Sequence, residues 1–444
     1  MATVVSAEDA RYAYDLVREI CARVGPGLPG SPQERARAEY FKKEFQTHLG
    51  AKNVIMEDFT FAPGAFLSPL PGIFLVIAVL LNISMSHIPG VSPWITSIFA
   101  LIFSILAPLV FILQFLLGLE VLDPLLPKRT SQNVIGTLCK PGTEKVKRLL
   151  ILGGHHDSAP ENTWLRGLHA LHRWIMQRGP QDAAREDRWY RTLGIGFYCF
   201  SGIFFIGFAT VLVLNAIQLA GVLAGDAAAV RSGTLGWALL IFPILPAVIY
   251  GLFTLRGTKN GGNVPGAADN LSASALTVAM CRFLVENPAY IPEDTEIRFI
   301  SFGCEEAGLR GSRRYVTRHL GELEKLDARL LNFETVAHPE IIILTSDANG
   351  TVQNSAEMVK SVIAAARRAG VPFKAQAASL GEGSDAAPFS RAGLLAATLL
   401  PFQVPQQLIG FYHQKWDTPE VLTIEPLMNV LKLTLEWIRG GGVE

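Results

Sequence analysis

Four stretches of the chain run without charge for long enough to cross the ~30 Å hydrocarbon of a bilayer, which takes about 20 helical residues. They occupy 66–86, 94–119, 193–223 and 234–255. Core helices of soluble domains seldom run past 20 residues without a polar face, so the pattern predicts four transmembrane helices. Pro71, Pro108, Pro243 and Pro246 fall inside them, where membrane helices tolerate proline. Short polar links at 87–93 and 224–233 join the four into two hairpins. Each hairpin returns the chain to the side it left, so both termini and every polar segment share one side.

The polar remainder alternates short β-rich runs with helix-periodic ones. Strands are expected at 53–61, 132–138, 148–153, 296–302, 330–334, 341–345 and 394–399, and helices at 7–24, 31–49, 271–287, 352–369 and 424–439. The run LLILGG is apolar throughout, as a strand covered on both faces must be. Alternation of this kind predicts an α/β fold with a mixed, mainly parallel sheet sandwiched by helices. The expected organisation is one such domain in three pieces, 1–65, 120–192 and 256–444, interrupted by hairpins at 66–119 and 193–255.

Composition sharpens this picture. Half of the 444 residues are apolar, 18% are charged, and 39 Lys+Arg balance 39 Asp+Glu. That excludes disorder, and zero net charge offers no electrostatic case for a nucleic-acid partner. Near the span ends the polar side carries Lys52, Lys128, Arg129, Arg178, Arg185, Arg188, Arg191, Arg256 and Lys259, against Arg231 alone at the hairpin tips. The bias predicts a multi-pass integral membrane protein whose polar domain and termini are cytoplasmic. The N-terminal 25 residues read as an amphipathic helix, since Glu and Asp interrupt any signal-like apolar core. Five well-separated cysteines, without a CxxC pair, fit a reducing compartment. The spans hold no ionisable residue to couple transport.

In sheets of this kind function collects in the loops after the carboxyl ends of strands. After LLILGG stands HHDS, with His155, His156 and Asp157. Imidazole suits zinc and a nearby carboxylate can fix its tautomer, although a surface loop accounts for the pair as well. Asp269 opens a helix in GAADN, where an N-cap is the ordinary explanation. After EIRFISF, Glu305 and Glu306 are adjacent carboxylates that repel unless a cation or proton offsets them, or solvent screens them. Glu334 follows the strand LLNF, and FYHQKWDT supplies Tyr412, His413 and Asp417. Each signal is modest alone; their succession in strand-end loops of one sheet is not.

The set GHHDS, GAADN, FGCEEAGLRGS, NFE and YHQKWDT closely resembles the co-catalytic di-zinc aminopeptidase and glutamate carboxypeptidase superfamily, and GPGLPGSPQERARAEYFKKEFQTHLG is similar to its N-terminal helices. The hairpins resemble an addition found in membrane-tethered endoplasmic-reticulum metallopeptidase relatives. The resemblance implies two zinc ions bridged by Asp269, one completed by His155 and Glu334, the other by Glu306 and His413. It also implies Glu305 as general base, Asp157 orienting His155, Tyr412 near the oxyanion, and a cis peptide bond between Asp269 and Asn270. The activity implied is a zinc exopeptidase on peptide substrates, an aminopeptidase first. A carboxypeptidase, a deacylase, a single-zinc glutaminyl cyclase or a non-catalytic receptor on the same scaffold stand as alternatives. Two positions depart from the family: Glu334 where most members have Asp, and Ala386 where a late Ser-Asp-His motif ends in His. The sequence leaves open whether the hairpins anchor the enzyme in the bilayer, join a homo-oligomer, or bring the site to apolar peptides.

Overall fold

The computed structural model describes residues 4–87, 90–177, 183–226, 264–379, 381–404 and 406–443. In chain order they form α1 (Ala7–Arg23), α2 (Pro32–Leu49), β1 (Val54–Phe61), α3 (Leu70–His87), α4 (Pro93–Val110), β2 (Arg129–Cys139), β3 (Arg148–His155), α5 (Thr163–Met176) and α6 (Ala183–Leu223). Then come α7 (Ser272–Glu286), β4 (Thr295–Phe302), α8 (Arg310–Lys325), β5 (Ala328–Phe333), β6 (Ile341–Leu344), β7 (Ser346–Asp347) and β8 (Val352–Gln353). The chain closes with α9 (Ala356–Ala369), β9 (Phe373–Gln376), α10 (Ala386–Arg391), β10 (Leu395–Leu400), α11 (Gln406–Gly410) and α12 (Ile424–Arg439). Two compact units result, one of residues 1–63, 125–161 and 260–444, the other of 64–124 and 162–259.

The first unit is built on an eight-stranded sheet in the order β1-β2-β4-β3-β5-β10-β6-β9. Its centre, β4-β3-β5-β10, is parallel, with antiparallel pairs at β1-β2, β2-β4 and β10-β6. Successive residues of β3 alternate between two cores. Leu150 and Leu152 face α1, α2, α7, α9 and α12, while Leu149 and Ile151 face α8 and α10. Covering both faces is what a wholly apolar central strand requires. The α/β sandwich with a mainly parallel sheet is as the alternation predicts.

Several elements differ from the sequence reading, among them helices at Thr163–Met176, Ala386–Arg391 and Gln406–Gly410 that it did not expect. Helix α8 was not foreseen, because its segment RGSRRYVTRHLGELEK is dominated by charge and buries only a sparse apolar set, chiefly Tyr315, Val316 and Leu323. The helix expected from 352 begins at Ala356, capped by Ser355, whose side chain accepts from the Met358 N–H, and residues 352–353 form the short strand β8 instead. Edge strand β9 is mostly exposed and carried no apolar signal.

In the second unit α3, α4 and α6 pack through Leu75, Ala107, Phe111, Phe208 and Val211. Asn82 of α3 donates its side-chain amide to Asn215 of α6. Ile73, Val76, Leu80, Phe99, Ile102, Ile105 and Leu109 stay exposed on α3 and α4. Among the described residues two helical stretches, Pro93–Leu116 and Phe205–Leu223, are long and apolar enough to cross a membrane; Leu70–Asn82 is shorter. The expectation of four spans is therefore only partly met, and the segment at 234–255 lies outside the described residues.

Candidate active site

The site forms where the carboxyl ends of β4, β3 and β5 lie side by side. His155, the last residue of β3, pairs in register with Phe302 of β4, and Gly153 pairs with Asn332 of β5. Parallel pairing thus delivers His155, the Glu305–Glu306 loop and Glu334 to one edge. Asp269 arrives from above, in the irregular turn Ala267–Leu271 that leads into α7. Gly154 permits this approach: a Cβ there would lie 3.0 Å from the carbonyl carbon of Ala273 and closer still to its methyl group. The peptide bond between Asp269 and Asn270 is cis, as the resemblance implies.

The expected ligands converge. His155 Nε2 lies 3.4 Å from Asp269 Oδ1, 3.5 Å from Glu334 Oε1 and 3.7 Å from Glu305 Oε2. His413 Nε2 lies 3.0 Å from Asp269 Oδ2 and 3.3 Å from Glu306 Oε1. Asp269 thereby directs one oxygen to each histidine. Among the described residues, three sets of side chains each offer atoms within 4.8 Å of one another: His155–Asp269–Glu334, Asp269–Glu306–His413 and His155–Glu305–Glu306. Buried polar atoms normally have partners. Here His155 Nε2, Asp269 Oδ2, Glu306 Oε1 and Glu334 Oε2 are buried without a hydrogen bond. Oxygen and imidazole donors clustered this way fit divalent zinc, which would supply the missing partners.

Supporting contacts fix these donors. Asp157, fully buried, accepts from the backbone N–H of Glu305 and of Glu306, each at 3.0 Å, and stands 3.3 Å from His155 Nδ1. One carboxylate therefore sets both the imidazole and the acidic loop. Asp417 accepts from the N–H groups of Ala268 (2.7 Å) and Asp269 (3.1 Å), so the loop carrying His413 holds Asp269 in place. Tyr412 stacks on His413 with ring centroids 3.9 Å apart. Burial raises the Tyr412 hydroxyl well above its usual pKa, keeping it a donor. Burial likewise raises Glu305 well above the carboxylate range, against the opposing pull of His155. Four non-glycine residues here, Cys304, Leu309, Thr335 and His413, take positive φ, and such strain clusters at functional sites.

The second histidine of HHDS turns away. His156 Nδ1 meets Ser301 Oγ at 2.8 Å, its ring packs near Phe41, and burial pushes its pKa down to about 3. It is a core histidine. Among the buried charged residues around the site, Arg37 and Glu34 were given no role by the sequence reading. Arg37 of α2 donates to the carbonyls of Gly25, His156 and Pro265, tying the N-terminal segment to both ligand-bearing loops. Glu34 accepts from Ser131 Oγ and Gly30 N, and burial pushes its carboxyl up to about 8. Arg37 and Glu34 sit in a segment that reads as a plain helix. Asp385, in the late Ser-Asp motif, is fully buried, and burial lifts its carboxyl to about 7 against the opposing pull of His155 and Ser312.

Comparison with known proteins agrees with this geometry. Residues 255–438 match the model of peptidase family M28. Over 182 residues, 39% of this chain, it is 30% identical to aminopeptidase YwaD of Bacillus subtilis (strain 168), and that match spans 34% of the relative, about a third of its length. In fold it is similar to BSAP, a zinc aminopeptidase from Bacillus subtilis, with a TM-score of 0.52 and 16% identity over 97% of this chain and 94% of that one. A glutaminyl cyclase of an Acidobacteriales bacterium is similar too, with a TM-score of 0.51 and 14% identity over 99% of this chain and 96% of that one. The match agrees with the superfamily resemblance read from the motifs, and the matched segment includes Asp269, Glu305, Glu306, Glu334 and His413, while His155 and Asp157 precede it.

Proposed function

We propose that the chain is a membrane-embedded zinc exopeptidase, acting as an aminopeptidase on short peptides. The observation that carries this reading is the convergence of His155, Asp269, Glu306, Glu334 and His413 with buried donor atoms that no protein group satisfies. Two zinc ions, one held by His155, Asp269 and Glu334 and the other by Asp269, Glu306 and His413, would lower the pKa of a bound water and polarise the scissile carbonyl. Glu305 is the carboxylate left outside the two sets that share Asp269. It takes the proton of the attacking water and returns it to the leaving amine. Asp157 holds His155 and the backbone of Glu305 in register. Tyr412, kept protonated, donates to the oxyanion as charge develops. The carboxylates around the site favour a free α-amine on the substrate.

The apolar helices support membrane association, and the excess of Lys and Arg on the polar side supports a cytoplasmic catalytic unit. The test uses the full chain purified in detergent. Zinc content near two ions per chain, release of N-terminal residues from free-amine peptides but not from N-acetylated ones, and loss of turnover in Glu305→Gln with metal retained are expected. Unchanged hydrolysis by Glu305→Gln removes the base. The glutaminyl cyclase likeness in fold favours one second reading: a single zinc per chain with cyclisation of N-terminal glutamine would establish it instead.

A further inference from the structure

Glu334 is one methylene longer than the aspartate of the resembled family, and Thr335 beside it accounts for how the longer side chain is held. Thr335 is 1% exposed and has φ +43°, a left-handed conformation that β-branched residues almost never adopt. That turn places its hydroxyl 3.2 Å from Glu334 Oε1, to which it donates. Its backbone N–H donates to Asn270 Oδ1 at 3.1 Å, and the Asn270 side-chain amide donates to the Phe333 carbonyl at 3.1 Å. One asparagine, next in sequence to Asp269, thus brackets the backbone on both sides of Glu334. The extra rotatable bond of a glutamate lets its carboxylate swing. The Thr335 hydroxyl removes that freedom at one oxygen and leaves Oε2 buried without a protein partner. A valine-like side chain of the same shape would fill the space equally well, so the hydroxyl has a purpose beyond packing.

We infer that Thr335 is a positioning residue for Glu334: its hydroxyl ties down one carboxylate oxygen, so that the longer side chain serves the metal grouping of His155 and Asp269. This rests on the zinc reading proposed above. The test measures zinc per chain by mass spectrometry after dialysis of the detergent-purified full chain against a graded series of chelator. Thr335→Val keeps the branch and removes the hydroxyl, while Thr335→Ser keeps the hydroxyl and relaxes the branch. Partners behind metal ligands change affinity by about 10- to 100-fold. Thr335→Val is expected to release one equivalent of zinc at roughly tenfold lower chelator, within that range, and Thr335→Ser to retain it. In a Glu334→Asp background, which shortens the side chain, Thr335→Val should have no further effect, the non-additivity that marks a direct partner. Wild-type retention in Thr335→Val overturns the inference, and so does a loss that Thr335→Ser shares, since that assigns the effect to packing. A wild-type chain without zinc overturns the proposed function itself, a result distinct from either.

Discussion

Gly154 is the point at which the fold of the first unit decides the geometry of its site. Its φ lies outside the left-handed region, so alanine meets no backbone penalty there and a Gly154→Ala variant isolates sterics. The added methyl carbon would stand 3.0 Å from the Ala273 carbonyl carbon and 3.2 Å from Ser274 N, and within 3.0 Å of the Ala273 methyl. Ordinary carbon–carbon contact is about 3.5–4.0 Å, so β3 and the start of α7 must separate by roughly 1 Å. Overpacking of this kind costs about 1–3 kcal/mol. The displacement falls between His155, on β3, and Asp269, in the turn before α7, and a misplacement of about 1 Å is worth roughly 10²-fold in rate. The variant should therefore melt several degrees lower and lose metal and turnover far beyond what its stability explains. Ala273→Gly removes the worst of the clash at a helix-propensity cost of about 1 kcal/mol. The double variant should recover metal content and part of the turnover, though not all, because the backbone contacts remain. Scanning calorimetry with zinc analysis checks both. A Gly154→Ala protein with wild-type metal and turnover, or a double variant no better than the single, would show that this close approach does not set the site.

Three further outcomes follow from the same structure. Chelation should lower the thermal midpoint and abolish turnover, with zinc restoring both, because a ligand present at 100 times its Kd stabilises by about 2.7 kcal/mol; a midpoint indifferent to chelator would mean that the unpartnered donors hold no metal. Asp417→Asn keeps one acceptor for Ala268 and Asp269 and turns an amide toward the other N–H, so it should cost about 1–3 kcal/mol and weaken zinc retention, read by calorimetry and metal analysis; unchanged retention would separate Asp417 from the site. Glu322 is held below the usual carboxylate range by its hydrogen bonds from Arg298, at 2.6 and 3.0 Å. A depressed carboxylate adds stability above its unfolded pKa and loses it as pH falls through the folded one. Glu322→Gln should thus be less stable at neutral pH by less than about 1 kcal/mol, with the gap closing below about pH 4. A gap that persists in acid would assign it to packing.

The sheet and its long helices were legible because their segments carry clean periods. LLILGG is buried on both faces, and IEPLMNVLKLTLEWIR places its apolar stripe on the sheet. His155, Glu305, Glu306 and Glu334 were legible because they sit at or just after strand ends, where parallel pairing forces neighbours together, whereas Asp269 and His413 lie in loops flanking helices and were legible through the motifs. What escaped is what period and position do not encode. Arg37 lies on a helix rich in charge, and only the fold reveals that its guanidinium is spent on three carbonyls. Helix α8 has too few apolar residues to signal itself. The two histidines of HHDS look alike in sequence, and strand alternation sends His155 to the site and His156 into the core.

The order of the strands along the chain carries a consequence for biosynthesis. Strand β3 is complete at His155, yet its two parallel neighbours begin only at Thr295 and Ala328, after the second apolar insertion has been made. A ribosome emitting about 5–20 residues per second leaves this oily strand with both edges open for roughly 7–30 seconds. Bare strands of that type are templates for unwanted pairing. Nascent chains should accordingly lean on chaperones until the carboxyl-terminal half emerges, and denatured full-length protein should refold poorly when diluted from urea.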